Sequence, residues 1–273
     1  MTTCVHPTAL VEPGAQLGAG VEIGPFCVVG PEAVLEDGVR LVSHVVVDGR
    51  TRVGEGCVIY PFVTVGLAPQ DLKYKGEPTL CEIGPRTQVR EHCTIHRGTV
   101  TGAGITRVGA GCLLMAVVHI AHDCEIGDGV VIANNVVMGG HVLIGPGAVI
   151  GGSSAIHQFV RIGRGAMVGG VSGVESDVIP FGSVLGNRAR LAGLNVVGLK
   201  RRGVDRAELH RLRAAVRHLF GASPGVFATR LAETRVRWGS DPLVAEVLEF
   251  AEAPSRRGLI RAQLAAEAED EAA

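Results

Sequence analysis

Aromatic side chains are scarce in this chain of 273 residues, in which seven Phe, two Tyr and one Trp amount to 4% of the sequence. Glycine, with 39 residues, is abundant instead. Helix bundles and Rossmann domains fill their cores with larger side chains, so this composition argues against both. Net charge is nearly absent as well, at −1, and no general affinity for nucleic acid or for an anionic membrane follows from it.

Long apolar runs and secretion signals are also missing. No stretch of about 18 apolar residues occurs, so the sequence predicts no transmembrane helix. Residues 1–7 contain neither a basic nor an apolar region, so we predict no signal peptide and expect a cytoplasmic protein. The seven cysteines include no CxxC spacing, which argues against a disulfide framework and against a thiolate metal site.

Aliphatic residues recur at every sixth position over most of the chain. One run extends from Val5 to Val65, and another begins at Val108 and continues to Val174. Neither a helix, with a period of about 3.6, nor an amphipathic strand, with a period of about 2, produces this rhythm. It is typical of a β-helix, in which each hexad supplies a short strand and a corner, and three hexads close one triangular coil. We therefore predict that residues 1–187 form a parallel β-helix of hexapeptide repeats.

Small residues occupy the position two before each aliphatic residue. Six of the seven cysteines stand there, namely Cys27, Cys57, Cys81, Cys93, Cys112 and Cys124. We predict that they are buried and act as small hydrophobic residues. Glycine often follows the aliphatic residue, as at Gly24, Gly84 and Gly127. We expect these glycines to adopt tight corner conformations that other residues resist.

Two segments interrupt the hexads. Residues 66–82 are polar, contain two prolines and take up one full coil without loss of phase, whereas residues 97–107 shift the phase by one residue. We predict that both protrude from the β-helix as loops. Loops on a rigid scaffold often carry binding residues.

After Pro180 the hexads end, and residues 188–262 are predicted to form a C-terminal α-helical domain. The helices are expected over 189–202, 205–220, 225–238 and 241–252. Asp205 is the expected N-cap of the second helix, and Gly221 is its expected end. Residues 263–273 are predicted to be a disordered tail.

The stretch 188–217 of this second domain is strongly basic. It carries nine basic and two acidic residues. This balance favours an acidic partner or a ligand that bears phosphate.

Arranging the repeat in coils places His122, Gly140 and Gln158 in one column. Three further histidines flank this column, namely His119, His141 and His157. Histidines suit general acid–base catalysis near neutral pH, and a glycine leaves its backbone N–H open to an oxyanion. Two alternatives stay open, a polar corner without a catalytic role and a metal site shared between subunits.

Several strings in the chain resemble the acyl-ACP–UDP-N-acetylglucosamine O-acyltransferases of lipid A biosynthesis, in order and with matching spacing. They are QDLKYKGEPT (70–79), TIHRGT (94–99), HIAHDC (119–124), GGHV (139–142), AIHQF (155–159), GNRA (186–189) and NVVGLKRRG (195–203). Hexapeptide repeats alone indicate only a superfamily, whereas the QDLKY, HIAHD and LKRRG strings indicate this family.

The resemblance implies a left-handed β-helix in a homotrimer, with active sites between subunits. It implies transfer of an (R)-3-hydroxyacyl chain from acyl carrier protein to the 3-hydroxyl of UDP-N-acetylglucosamine, without a metal or an organic cofactor. It also implies catalytic roles for three residues. His122 is the general base, Asp123 orients it, and the N–H of Gly140 binds the oxyanion.

The remaining residues that match the family are implied to bind substrate. Asp71 and Lys73 would contact the acyl hydroxyl and the sugar. His96, His119, His141 and His157 match other positions in the family's active-site cleft. The family positions that bind the nucleotide are matched by Gln158, Asn195, Arg201 and Arg202.

Acyl length would be set at Gly170, where a glycine leaves the channel open and favours a longer chain. Two positions depart from the family, because Arg188 replaces a histidine at the channel end and Val197 replaces a glutamate near the nucleotide.

Three competing functions remain at this point. The sister N-acyltransferase of the same pathway carries an extra N-terminal domain, for which hexads that begin at Val5 leave no room. A metal-dependent β-helix hydratase would bind zinc, and a non-catalytic scaffold would not need His122.

Overall fold

The computed structural model describes residues 2–221 and 225–262. Short strands wind into a left-handed parallel β-helix, and helices follow near the C-terminus, which confirms the predicted fold class. The β-helix has three faces, here called A, B and C, and the chain visits them in that order in every coil.

Each face is one sheet. Face A contains Cys4–Val5, Glu22–Ile23, Arg40–Leu41, Val58–Ile59, Gln88–Val89, Leu113–Leu114, Val131–Ile132, Val149–Ile150, Met167–Val168, Gly182–Leu185 and Arg190–Leu194. Face B contains Leu10–Val11, Val28–Val29, Val46–Val47, Thr64–Leu67, Thr94–His96, His119–Ile120, Val137–Met138, Ala155–Ile156 and Gly173–Val174. Face C contains Gln16–Leu17, Val34–Leu35, Arg50–Val53, Leu80–Ile83, Ile105–Val108, Glu125–Ile126, Leu143–Ile144 and Arg161–Ile162.

Strands of successive coils pair in parallel at equivalent positions of the repeat. On face B, Ile120 pairs with Met138, Met138 with Ile156, and Ile156 with Val174. The register thus places these four residues, at a spacing of eighteen, on one face. The stacking therefore turns a spacing of eighteen residues into a column along the molecule.

The interior of the β-helix is filled by one aliphatic and one small residue from each hexad. Cys93 and Ile95 are an example, and both are fully buried. The six cysteines predicted to be buried are buried, and all are free thiols. Burial raises the pKa of the Cys81 and Cys124 thiols to about 12, so they stay protonated and behave as apolar residues.

The glycines that follow the aliphatic residues are required for a different reason from the expected one. Gly24, Gly84 and Gly127 do not have positive φ angles. They are close to the next coil instead, because a Cβ on Gly127 would lie 2.7 Å from the backbone nitrogen of Pro146. Positive φ angles occur elsewhere at the corners, and several belong to residues with side chains, such as Phe26 and His44.

Three corners separate the faces, and we name each by the faces that it joins. Both loops leave from the B/C corner, over residues 68–79 and 97–104. The predicted bounds of 66–82 and 97–107 were too wide, because regular strands extend into both segments.

The length prediction for the first loop was also wrong. Thr64 pairs with Thr94, thirty residues away, so the loop adds twelve residues to a coil rather than replacing one. Twelve residues are two hexads, which is why the phase is preserved. Ile83 pairs with Val108, twenty-five residues away, so the second loop adds seven residues. Seven is one hexad and one extra residue, which accounts for the shift of phase.

Within residues 2–221 and 225–262, four helices follow the β-helix, α1 (Val196–Arg201), α2 (Arg206–Phe220), α3 (Phe227–Trp238) and α4 (Pro242–Glu252). Asp205 caps α2 in a capping box with Glu208, and α2 ends at Gly221, as predicted. Among the residues described, no helix is long and apolar enough to cross a bilayer.

The helix predicted over 189–202 was wrong in its first part. Residues 190–194 form a strand that pairs antiparallel with Gly182–Leu185 and buries Leu191. The open edge of the last coil offers hydrogen bonds to this segment, and they outweigh its helical spacing. The predicted tail, residues 263–273, lies outside the described residues.

The helices pack back on the final coils through buried and partly buried charges. Arg161, held by the buried carboxylate of Asp177 at 2.7 Å, donates to the carbonyl of Phe250 in α4, and Arg164 pairs with Glu246 of α4. Asp177 also holds the segment that follows α4, because its backbone carbonyl accepts the N–H of Ile260.

Candidate active site

Ten of the predicted site residues gather at the B/C corner and its two loops. They are Asp71, Lys73, His96, His119, His122, Asp123, Gly140, His141, His157 and Gln158. The corner is built by consecutive coils, so the column predicted from His122, Gly140 and Gln158 is present.

His122 and Asp123 form a buried pair at the centre of this corner. The Nδ1 atom of His122 lies 2.8 Å from Oδ2 of Asp123, and both residues are more than nine-tenths buried. A carboxylate at Nδ1 leaves Nε2 of the ring as the atom that can accept a proton. This is the arrangement of a general base and the carboxylate that orients it.

The carboxylate of Asp123 is held by the loop 97–104. Thr99 donates its hydroxyl at 2.6 Å and its N–H at 3.1 Å, and the N–H of Gly104 donates at 3.0 Å. Burial alone would raise the pKa of Asp123, but the hydrogen bonds from His122 and Thr99 outweigh burial and lower it to about 2. Asp123 is therefore ionised at neutral pH.

Sequence reasoning missed this use of the loop. Residues 97–107 were predicted only to protrude as a loop, whereas Thr99 and Gly104 are turned inward onto Asp123. Thr106 was missed too, although its buried hydroxyl accepts the N–H of Asp123 at 2.8 Å. The small and hydroxylated residues of the string RGTVTGAG are the only sequence signal for such a cradle.

Gly140 lies against the ring of His122. A Cβ at this position would be 2.7 Å from Nε2 of His122, so any other residue would displace the ring. The N–H of Gly140 makes no hydrogen bond to any described residue. The glycine thus provides both room for His122 and an open donor beside it.

His141 occupies the next coil and contacts the central pair. Its ring meets the ring of His122 edge-on, with centroids 5.1 Å apart, and stacks on Phe159 at 4.5 Å. Burial lowers the pKa of His141, and the charge of Asp123, with Nε2 of His141 4.0 Å from its Oδ2, opposes this. Phe159 was not predicted to be part of the site.

His119 lies in the same coil as His122, His96 lies one coil earlier, and both are uncharged at neutral pH. Burial lowers the pKa of both histidines, and that of His96 falls to about 4. Nδ1 of His119 lies 2.7 Å from the hydroxyl of Thr94, which fixes the ring. Nδ1 of His96 is buried and has no hydrogen-bond partner among the described residues.

The loop 68–79 is stabilised by hydrogen bonds between its own residues and by a contact with Arg97. The carboxylate of Asp71 accepts the backbone N–H of Lys73 at 3.0 Å, and Tyr74 donates its hydroxyl to the carbonyl of Glu77. Arg97 lies beneath the loop, near the ring of Tyr74. The side chain of Lys73 is exposed and has no ion pair in the described part of the chain.

His157 and Gln158 complete this corner one coil further along. His157 is exposed, and its Nδ1 lies 3.1 Å from the carbonyl oxygen of Gln158. Both residues are therefore accessible at the edge of the same column.

The other predicted residues are not brought to this corner. Asn195 and Arg202 lie at the C/A corner, where they donate to the carbonyls of Gly165 and Gly147, and Arg201 ends the same short helix α1. Gly170 is exposed at the A/B corner. Arg188 lies in the turn between Gly182–Leu185 and Arg190–Leu194 over the last coil.

His122, Asp123 and His141 form the group, within the described residues, whose potential metal ligands lie within 4.8 Å of one another. Oδ2 of Asp123 is already engaged, since it accepts hydrogen bonds from both Thr99 and His122. This geometry suits a base and the carboxylate that orients it.

Comparisons with known proteins point to one family. The model of "Udp N-acetylglucosamine O-acyltransferase; Domain 2" matches residues 177–260, and the six-repeat hexapeptide model of bacterial transferases matches residues 105–140. The acyl-[acyl-carrier-protein]–UDP-N-acetylglucosamine O-acyltransferase of Caulobacter vibrioides is 56% identical over 93% of this chain and 97% of that protein. The enzyme of the same name from Azorhizobium caulinodans is 49% identical over 93% of this chain and 94% of that protein.

Solved structures agree with the sequence comparison. The UDP-N-acetylglucosamine O-acyltransferase of Moraxella catarrhalis is 41% identical and superposes with a TM-score of 0.91, over 94% of this chain and 99% of that one.

Proposed function

The chain belongs to the family of acyl-[acyl-carrier-protein]–UDP-N-acetylglucosamine O-acyltransferases, and from this we infer that it transfers an acyl chain from acyl carrier protein to UDP-N-acetylglucosamine. This reaction is the first step of lipid A biosynthesis. The observation that carries the assignment is the similarity over nearly the whole chain, together with the His122–Asp123 pair at the B/C corner.

We propose that His122 is the general base. Its Nε2 takes the proton from the 3-hydroxyl of the sugar while that oxygen attacks the thioester carbonyl of an (R)-3-hydroxyacyl chain. A C–O bond forms, the C–S bond breaks, and the proton on Nε2 passes to the departing thiolate. The ionised carboxylate of Asp123, 2.8 Å from Nδ1, stabilises the positive charge that His122 carries between these steps.

The open N–H of Gly140 lies beside the His122 ring, in a position to stabilise the oxyanion of the tetrahedral intermediate. Asp71 and Lys73 on the loop 68–79 are proposed to contact the acyl hydroxyl and the sugar. The uncharged rings of His96 and His119 offer hydrogen bonds without repelling the protonated form of His122.

We propose that the enzyme is a homotrimer with active sites between subunits. The base lies at the B/C corner, whereas Asn195 and Arg202 lie at the C/A corner and Gly170 lies at the A/B corner. A whole face separates each of these corners from the next within one chain. If these residues serve one site, that site is complete only where corners of neighbouring copies meet.

An exposed aromatic stack along the A/B corner supports such a contact. Phe26, His44, Phe62 and His92 occupy this corner in successive coils, with ring centroids 4.8 to 5.0 Å apart. Phe26 is 56% exposed and Phe62 is 51% exposed. A continuous apolar surface of this kind is commonly covered by a protein partner, here proposed to be a second copy of the chain.

The remaining proposals concern acyl length and location. A Cβ on Gly170 would meet only backbone atoms of Gly152, the nearer an oxygen at 3.3 Å, and no side chain fills the space beside the glycine, which a long acyl chain can use. The enzyme is proposed to act in the cytoplasm, where acyl carrier protein and nucleotide sugars are available.

The function is tested by an acyl transfer assay with UDP-N-acetylglucosamine and a series of hydroxyacyl carrier proteins of increasing chain length. His122→Ala is expected to lower kcat by roughly 10²- to 10⁴-fold, the usual contribution of a general base. His6→Ala, an exposed histidine of the first coil, serves as the matched control. Absence of transfer from every donor by the wild type would refute the function, and a preference for short chains would refute the proposal for Gly170.

A further inference from the structure

On the basis of the proposed function, we propose that Arg256 binds a phosphate group of one of the two substrates. Both substrates carry such a group, since UDP-N-acetylglucosamine contains a diphosphate and acyl carrier protein bears its acyl chain on an arm joined by a phosphodiester. Neither the family resemblance nor the sequence pattern drew attention to this arginine.

Arg256 extends the column of side chains that begins at the catalytic pair. Asp123, His141 and Phe159 take equivalent corner positions in three successive coils, all with positive φ angles. The ring of His141 stacks on that of Phe159 with an interplanar angle of 10°. The guanidinium of Arg256 lies over the Phe159 ring, 4.5 Å from its centroid.

Arg256 also influences the site electrostatically. Burial is the largest cause of the lowered pKa of His141, and the positive charge of Arg256 lowers it further. The arginine is therefore near enough to the cleft to act on a charged group within it.

The guanidinium of Arg256 is free to bind a ligand. The side chain is exposed, and within residues 2–221 and 225–262 it makes no hydrogen bond and no ion pair. The neighbouring arginines are engaged, because Arg161 pairs with Asp177, Arg164 pairs with Glu246, and Arg257 donates to the carbonyl of Glu175.

The backbone that carries Arg256 is anchored to the final coil. The hydroxyl of Ser255 accepts the N–H groups of Arg257 and Gly258, and the carbonyl of Gly258 accepts the N–H of Asp177. Together with the stacking on Phe159, this restrains the side chain before a ligand arrives, which lowers the entropy lost on binding.

The charges at the B/C corner explain why a phosphate needs a cation such as Arg256 there. Asp71 and Asp123 are among its carboxylates, and burial lowers the pKa of three nearby histidines, so these histidines add no positive charge at neutral pH. An approaching phosphate would be repelled unless cations flank the site. Arginine suits this task because its planar guanidinium can hold two phosphate oxygens at once.

The test compares Arg256→Gln and Arg256→Lys with the wild type. Arg86→Gln is the matched control, because Arg86 is an exposed corner residue on the C/A side with no ion pair among the described residues. For each protein, kcat and both KM values are measured, and the Kd values for UDP-N-acetylglucosamine and for acyl carrier protein are measured by calorimetry.

We expect Arg256→Gln to raise KM and Kd for one substrate by roughly ten-fold or more, with kcat changed by less than about two-fold. For Arg256→Lys, KM and Kd for that substrate should lie between the values of the wild type and of Arg256→Gln, since a lysine keeps the charge and loses the bidentate geometry. If KM and Kd rise for the nucleotide sugar alone, Arg256 binds the diphosphate. If they rise for the carrier protein alone, Arg256 binds the phosphodiester.

The proposal is overturned if Arg256→Gln matches Arg86→Gln in both KM and both Kd values. It is also overturned if kcat falls while all four values stay unchanged, since Arg256 would then act only through His141. If the wild type transfers no acyl group, the proposed function fails separately, and the two Kd comparisons still decide whether Arg256 binds phosphate.

Discussion

The carboxylate of Asp123 is fixed on both oxygens, and its ionisation underlies the proposed chemistry. Its pKa of about 2 results from hydrogen bonds that outweigh the effect of burial. A residue held in this way acts through charge and orientation, and it does not itself exchange a proton during turnover.

Asp123→Asn should preserve the shape of the site and remove the charge. We expect kcat to fall by roughly 100-fold or more, because His122 loses both the partner that stabilises its protonated form and the acceptor that fixes its orientation. KM values should change little, since Asp123 is buried and makes no proposed contact with substrate. Steady-state kinetics with a thermal melt as the folding control test this, and a kcat near that of the wild type would contradict it.

The lowered pKa of His96 predicts a specific pH dependence of the free energy of unfolding. Its pKa in the folded protein is about 4, below the ordinary value of 6.5, so between these values the unfolded chain binds a proton that the folded chain does not. Stability is therefore lost as the pH falls from 6.5 towards 4, by up to about 1.4 kcal/mol for each pH unit.

In His96→Gln this loss should become smaller, although not absent, because burial also lowers the pKa of His119 and His141. Urea denaturation at several pH values between 4 and 7 measures the slope. His6→Gln, at an exposed histidine, should keep the slope of the wild type. An unchanged slope in His96→Gln would show that the residue is not buried in its uncharged form.

At the scale of elements, the loop 97–104 connects the β-helix to the proposed catalytic pair. It leaves the B/C corner and returns to it, and in doing so it places Thr99 and Gly104 on the carboxylate of Asp123. A Cβ on Gly102 would overlap that carboxylate, so the loop fits closely over it.

Thr99→Val keeps the shape and the N–H of residue 99 and removes one hydrogen bond to Asp123. We expect a loss of about 1.5–3 kcal/mol in the free energy of unfolding at pH 7, as for hydrogen bonds to charged groups. Because the pKa of Asp123 lies below its ordinary value of 3.8, this stabilisation is present above pH 3.8 and is lost as the pH falls towards 2. The difference between variant and wild type should therefore shrink on acidification.

Thr101→Val is the control for this measurement. The hydroxyl of Thr101 contacts that of Thr99 and does not contact Asp123. Its removal should cost less than about 0.5 kcal/mol and should show no such dependence on pH. Equal effects of the two variants would mean that the loop as a whole, rather than its bond to Asp123, sets the stability.

The sequence predicted those parts of the site that obey the repeat. His122, Gly140 and Gln158 were placed together because the hexads run without interruption from Val108 to Val174. Thr99 was not connected with Asp123, since a loop of irregular length lies between them and no period relates them. Arg256 was beyond this reasoning as well, because its contact with Phe159 depends on how the last segment packs on the coils.

Helical spacing was misleading at one element. Residues 190–194 have it, yet they form a strand, because the last coil leaves an unpaired edge to which they bond. Such a contact between distant parts of the chain has no signal in a local window of sequence.

At the scale of the whole molecule, the separation of His122 from Arg202 predicts complementation between subunits. His122→Ala and Arg202→Ala should each be strongly impaired. When the two variants are unfolded together in equal amounts and refolded, random assembly gives about one quarter of the sites an intact histidine from one subunit and an intact arginine from its neighbour.

The mixture should recover activity towards about a quarter of the wild-type value, as measured by acyl transfer. Each variant refolded alone is the control and should stay impaired. No recovery in a mixture whose trimers contain both chains, as judged by mass spectrometry of the intact assembly, would place both residues in a site within one subunit.

The arithmetic of the two loops has a consequence for how such an enzyme diversifies. One loop adds twelve residues to its coil and the other adds seven, yet the strands that follow each of them pair in register with the coil before. Hydrogen bonding between coils thus restores the alignment of the columns, whatever the number of residues in the loop. The loop 68–79 at the B/C corner is therefore free to be lengthened, shortened or exchanged between homologues to suit a new acyl donor, while the base downstream keeps its position. The loop 97–104 is not free in this way, because Thr99 and Gly104 hold the carboxylate of Asp123.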